Sequence, residues 1–123
     1  MFAMKHVTQM NCSEIDKCFS KVKRWKLGEW EITGHTLNRI MEKEIEGLHL
    51  AYSVIDFNII EYKQMKSGNE RIVIRSNMSF DGFNVCAVLD VTKGVVVTAW
   101  KNRVSDTHRT LDLSKYDAFL TVR

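Results

Sequence analysis

The chain has no proline, and only six glycines and three cysteines among 123 residues. The missing proline suits strands that all need their N–H donors. Cys12, Cys18 and Cys86 are an odd number without C-x-x-C spacing, which suggests neither a disulfide framework nor a four-ligand zinc site. Reduced, mostly buried thiols are expected. No window approaches the ~18 uninterrupted apolar residues of a membrane-spanning helix. Met1-Phe2-Ala3-Met4-Lys5-His6 likewise lacks the apolar core of a signal peptide. Charge of one sign is scarce too: 18 basic against 15 acidic residues leave +3, far below what binding of nucleic acid by bulk charge alone requires. There is no glycine-rich phosphate loop, H-E-x-x-H, G-x-S-x-G or acidic calcium loop, so nucleotide hydrolysis by a P-loop is excluded.

What is present is an ordinary globular composition, 45% hydrophobic and 27% charged, in a chain long enough to bury one core. A single domain over residues 1–123 is expected, with helices over about 13–57, a sheet over about 59–100 and a polar segment over 101–123. Ser13, with Asp16 three residues on, reads as a helix start; Ile15, Cys18, Phe19 and Val22 follow at helical spacing to about Arg24. Trp30-Glu31-Ile32 reads as a short extended piece. Leu37, Ile40, Met41 and Ile45 predict a second helix from about Thr36 to Ile45, stopped by Gly47, with a turn or short helix around Ala51 to Phe57.

The periodicity then turns extended. Ile59 to Gln64 and Arg71 to Arg75 form a hairpin about Lys66-Ser67-Gly68-Asn69. Phe83 to Val91 carries the continuous apolar run Val85 to Leu89, which predicts burial on both faces and an interior place in the sheet. Thr92-Lys93-Gly94 turns the chain into Val95 to Trp100. The expected fold class is α+β, with N-terminal helices packed on a four-stranded antiparallel sheet whose other face or one end stays open.

Charge is unevenly spread. Lys17, Lys21, Lys23, Arg24 and Lys26 form a stretch without an anion, while Glu42 to Glu61 holds five carboxylates against Lys43 alone. The basic stretch, with Trp25 close by, reads either as a face for a phosphate backbone or as a solvated helix face. Two histidines stand among hydroxyls and cations. His35 and Arg39 lie four apart and share one side of a helix, away from Leu37, Ile40 and Met41; Glu44 intrudes on that apolar side. His108 follows the last strand, on which Thr98, Trp100 and Asn102 would share a face, and Thr110 lies just beyond. Solvent-facing residues and an ordinary polar loop account for both segments equally well. No ligand spacing links His35, His49 or His108 to carboxylates, so no metal or other cofactor is expected.

The run His35-x-x-x-Arg39-Ile40-x-x-Lys43-x-Ile45, followed by an acidic hairpin strand, Asp81-Gly82, an apolar strand and Val97-Thr98-Ala99-Trp100, resembles the barnase/EndoU/colicin/RelE-like ribonuclease assemblage. It is most similar to the toxin domains of contact-dependent inhibition and other polymorphic toxin systems, over about Trp30 to Tyr116. Lys43 stands where relatives often carry arginine, and Trp100 where tyrosine is common.

The resemblance implies helices on a four-stranded antiparallel sheet and metal-independent cleavage of RNA, transfer RNA in many relatives. It further implies a neutralising immunity or antitoxin protein, and a cytoplasmic site of action for a domain that is free-standing or delivered within a larger secreted toxin. Carried over are His35, Arg39 and Thr98. Such cleavage needs a base for the 2′-hydroxyl, donors for the phosphorane and an acid for the 5′-oxygen. The expected assignment makes His35 and His108 the proton-transfer pair and Arg39 the clamp, with Thr98 and Thr110 as hydrogen-bond donors. Lys17, Lys21, Lys23, Arg24, Lys26, Trp100 and Asn102 would bind RNA. The alternative is a non-catalytic adaptor or regulatory protein, of phage origin or otherwise, that binds protein or nucleic acid through the basic helix and exposed aromatics.

Overall fold

Five strands, one more than the sequence pattern predicts, run antiparallel in chain order in a computed structural model that describes residues 2–106 and 112–123. The additional strand is β1, Phe2–His6, which pairs along β2, Phe57–Met65. Between them lie α1, Cys12–Lys23, α2, Gly34–Glu42, and α3, Gly47–Ser53. β3 is Glu70–Ser76, β4 Phe83–Asp90 and β5 Val95–Arg103. The α+β class and the β2-to-β5 meander agree with expectation. β5 continues three residues past the anticipated Trp100.

Local chemistry sets the helix ends. Asn11, rather than Ser13, caps α1: its side chain accepts from the Glu14 N–H, and Glu14 reaches back to the Asn11 N–H in a capping box. The second predicted helix stops three residues short of Ile45. α2 begins after its cap Thr33 and ends at Glu42, where Glu44 takes a left-handed φ of 60°. Gly47, expected to stop a helix, opens α3 instead.

All three helices cover one face of the sheet. Cys18, Val22, Ile40, Ile45 and Leu50 form one core with Tyr62, Ile72, Ile74, Ala87, Leu89 and Ala99. Cross-strand partners share a face, so the register assigns Val73, Arg75, Cys86 and Trp100 to the opposite side. Val85, Cys86, Ala87 and Leu89 are all buried, as an interior strand's should be.

Both sheet edges are covered. Along β1 the Asp117 N–H donates to the Met4 carbonyl at 2.8 Å. Along β5, Glu31 forms a two-bond bridge, its N–H to Gly94 O and its carbonyl to the Val96 N–H. Such cover removes a template for strand addition. At the β4–β5 turn Gly94 has φ 72°, and a Cβ there would lie 2.6 Å from the Trp25 ring, so only glycine fits.

One buried ion pair joins the two ends of the chain. Lys5 Nζ lies 3.0 Å from each Glu14 carboxylate oxygen, and the Val122 N–H donates to the same group at 3.2 Å. Burial pushes this carboxyl up, but the bonds from Lys5, Val122 and Asn11 together with the ammonium charge outweigh that and hold its pKa below the ordinary 4.5. Replacing Glu14 by Gln strands the Lys5 charge and should cost about 3 kcal/mol in urea denaturation at neutral pH. A depressed carboxyl pKa stabilises the fold above its unfolded value. The gap between parent and Glu14→Gln should therefore narrow as pH falls below about 4.5.

Candidate functional site

The helix that carries the first histidine is fastened to the outer edge of β5. Thr36 Oγ1 donates to the Val97 carbonyl at 3.5 Å and Lys43 Nζ to the Ala99 carbonyl at 3.1 Å, one on either side of Thr98. Ile40, buried between those two contacts, packs into the core. The three define the sheet-facing side of α2 and leave it two flanks. His35 and Arg39 lie on one, exposed, and neither side chain bonds to another described residue. Leu37 and Met41 lie on the other; only Ile40 of that expected apolar trio is buried.

Thr98, Trp100 and Asn102 share the helix-free face, opposite Val88, Cys86 and Asn84 of β4. A shift in register between Val88 and Leu89 leaves Val97 as the extra residue of β5. Next to this row stands a residue that sequence reasoning missed. The Arg75 guanidinium donates to Asn84 Oδ1 from Nε and Nη2 at 3.0 and 2.9 Å, to Asp106 O at 2.8 Å and to Arg103 O at 3.0 Å. It thereby fixes the chain as it leaves β5. The sequence shows Arg75 only as one polar position of an alternating strand. His108 and Thr110, expected to complete the site, lie outside the described residues.

The basic stretch is largely engaged with its own fold. Lys21 pairs with Glu70 at 3.0 Å, Lys17 Nζ donates to Val122 O at 3.5 Å and Arg24 Nη2 to Val91 O at 3.0 Å. Lys23 lies over the Phe19 ring, and Trp25 Nε1 donates to the same Val91 carbonyl, which ties that ring down rather than leaving it to stack on a base. Lys26 is exposed. The sequence pattern is blind to these partners, which lie far away in the chain.

A cavity of about 570 Å³ opens between α2 and α3 on the helix side of the sheet. Trp30, Leu37, Met41, Leu50 and Val54 line it, with Glu44 and Glu46 as its only charged lining residues. The intrusion of Glu44 into an apolar stripe was its one trace in the sequence. Among the described residues no three or more His, Cys, Asp or Glu side chains are grouped to hold a metal ion. No helix is long and apolar enough to cross a membrane.

No protein-family model matches the chain, and neither a curated protein nor a solved structure matches it.

The thiols divide in two. Burial pushes Cys18 up to about 12 and Cys86 up to about 11, whereas Cys12 is exposed. Because the thiolate is the reactive form, native protein at pH 8 should titrate one thiol rapidly with a disulfide reagent and all three once unfolded.

Proposed function

We propose that the protein is a metal-independent endoribonuclease of the barnase/EndoU/colicin/RelE-like type, acting as a toxin on RNA at the junction of α2 and β5. The supporting observation is the pair of hydrogen bonds from Thr36 and Lys43 to the carbonyls on either side of Thr98, since they seat the helix bearing His35 and Arg39 on the edge strand that bears Thr98, whose side chain lies across that edge on the helix-free face. Helices on one face of an antiparallel sheet support the reading at the level of an α+β class only, since the sheet has five strands where the resemblance implies four.

The chemistry follows from what a 2′-hydroxyl attack demands. One imidazole, His35 or His108, removes the 2′ proton as the oxygen attacks phosphorus; the other protonates the departing 5′-oxygen, leaving a 2′,3′-cyclic phosphate. Arg39 offers a guanidinium, unpaired among the described residues, to the dianionic phosphorane, where a planar fork of donors binds two oxygens at once. Thr98 and Thr110 donate to the phosphate or to a base, with Trp100 and Asn102 beside Thr98 on the same face. RNA contact is thereby assigned to α2 and the open face more than to the basic helix, whose cations are mostly engaged. Transfer RNA as the target and a neutralising immunity or antitoxin protein as partner belong to the same reading.

Purified protein incubated with total RNA in excess chelator should yield fragments ending in cyclic phosphate. Replacing His35 or His108 by Ala should lower the rate about 10²- to 10⁴-fold with the fold intact by circular dichroism. Absence of cleavage across several RNA classes would reject the reading, and salt-dependent RNA binding without turnover would establish the non-catalytic adaptor in its place.

A further inference from the structure

The cavity between α2 and α3 plays no part in the chemistry proposed above, because it opens on the flank of α2 that carries Leu37 and Met41, away from His35 and Arg39. Its floor consists of core residues, Ile40, Leu50 and Val96 among them, and its walls of side chains left in water. Met41 is 64% exposed although it lines the cavity. The apolar surface also continues past the cavity mouth. Leu48, 62% exposed, stands in the first turn of α3, and Ile55, 57% exposed, in the turn just after its end. Large apolar side chains left in water on both sides of an apolar groove point to an absent partner.

Electrostatics narrows the kind of partner. Glu44 and Glu46, side chains 88% and 74% exposed, are the only charged residues among the described ones that line the cavity. Their nearest cationic or titratable neighbours, Lys101 and His49, each stand 3.9 Å off, at the outer limit of an ion pair. Lys43 directly precedes Glu44 in sequence, but its ammonium donates to Ala99 O. An occupant must therefore be apolar where it enters and cationic where it leaves. A small ligand filling the cavity would still leave Leu48 and Ile55 in water, whereas a rod lying along the groove would cover them.

We propose that the groove between α2 and α3 docks a basic amphipathic helix of a protein partner, its apolar side chains entering between Leu37, Met41 and Val54 and its lysines or arginines meeting Glu44 and Glu46. Helix-in-groove recognition of this kind combines an apolar anchor with charges that set orientation.

The test uses the full chain and a synthetic helix of about five turns built from leucine and lysine, with a leucine/glutamate counterpart as control. Trp30 lines the groove, so its fluorescence should change on binding the lysine peptide, and Trp30→Phe should abolish that change while peptide anisotropy still reports binding. The double variant Leu37→Ser/Met41→Ser alters exposed positions only; it should weaken binding about tenfold or more, as loss of a central anchor does. Glu44→Lys/Glu46→Lys should weaken the lysine peptide and strengthen the glutamate one. Equal binding of both peptides, or binding untouched by either double variant, would overturn the proposal. So would self-association of the protein that Leu37→Ser/Met41→Ser dissolves, since the occupant would then be a second copy. A saturable change of Trp30 fluorescence with a short-chain alkylammonium salt, with no peptide binding, would assign the groove to a small ligand and overturn it equally. None of these readouts depends on ribonuclease activity.

Discussion

The buried carboxylate of Glu14 receives Lys5 from β1, the Asn11 N–H from the start of its own helix and the Val122 N–H from the C-terminal segment. The N-terminal strand, the start of α1 and a segment 108 residues farther along thus converge on two oxygens. A buried pair of this kind is weak evidence of net stability, because removing both charges from water offsets much of their attraction. Its stronger effect is on register. Lys5 stands opposite Tyr62 on the helix-covered face, and a slip of one residue would turn its ammonium to the other face and leave Glu14 buried without a cation. The pairing of β1 with β2 encloses all three helices between adjacent strands, so this register also closes the helical layer over the core.

With that layer closed, the two sheet edges face different demands. β1 is covered by the chain's own end, through Asp117 and the segment that carries Val122 into the core. β5 is covered by side chains and by one residue of a loop: the Glu31 bridge at its start, then Thr36 and Lys43 farther along. Using α2 as an edge cover places that helix partly off the sheet, where only one of its sides is buried. The residues on its remaining sides are left available to solvent or ligands. Arg75 has a parallel role at the other end of β5, where a single guanidinium satisfies carbonyls of the departing chain.

Legibility in the sequence followed the range of the interactions. The β2–β3 and β4–β5 turns were readable because Gly68 and Gly94 stand at left-handed positions between alternating strands, a purely local signal. α1 was readable from its spacing, although Asn11, two residues before Ser13, caps it. β1 was not, because Lys5 and His6 are both buried there and the hydrophobic pattern reads as surface unless Glu14 is known to receive the lysine. The early end of the second helix was hidden for a different reason. Glu44 adopts a backbone conformation usually left to glycine, while the real glycine, Gly47, begins the next helix. Of the candidate site, the shared flank of His35 and Arg39 and the shared face of Thr98, Trp100 and Asn102 could be read from period alone. That Lys17, Lys21 and Arg24 are spent on Val122, Glu70 and Val91 could not.

α2 is the element on which the two surfaces meet, and it is too short to be stable by itself. A helix of nine residues lies below the length at which isolated helices persist in water, so its position derives from its cap and its contacts with β5 and the core. Those contacts are few: the Thr33 cap, Thr36, Ile40 and Lys43. The same side chains therefore set where His35 and Arg39 stand on one flank and how wide the groove beside Leu37 and Met41 opens on the other. A conservative change at Thr36 or Lys43 would disturb both surfaces together, whereas a change at Arg39 or Met41 would disturb one. The separation of effects between flank and seat distinguishes a helix that merely covers an edge from one that also presents two independent surfaces.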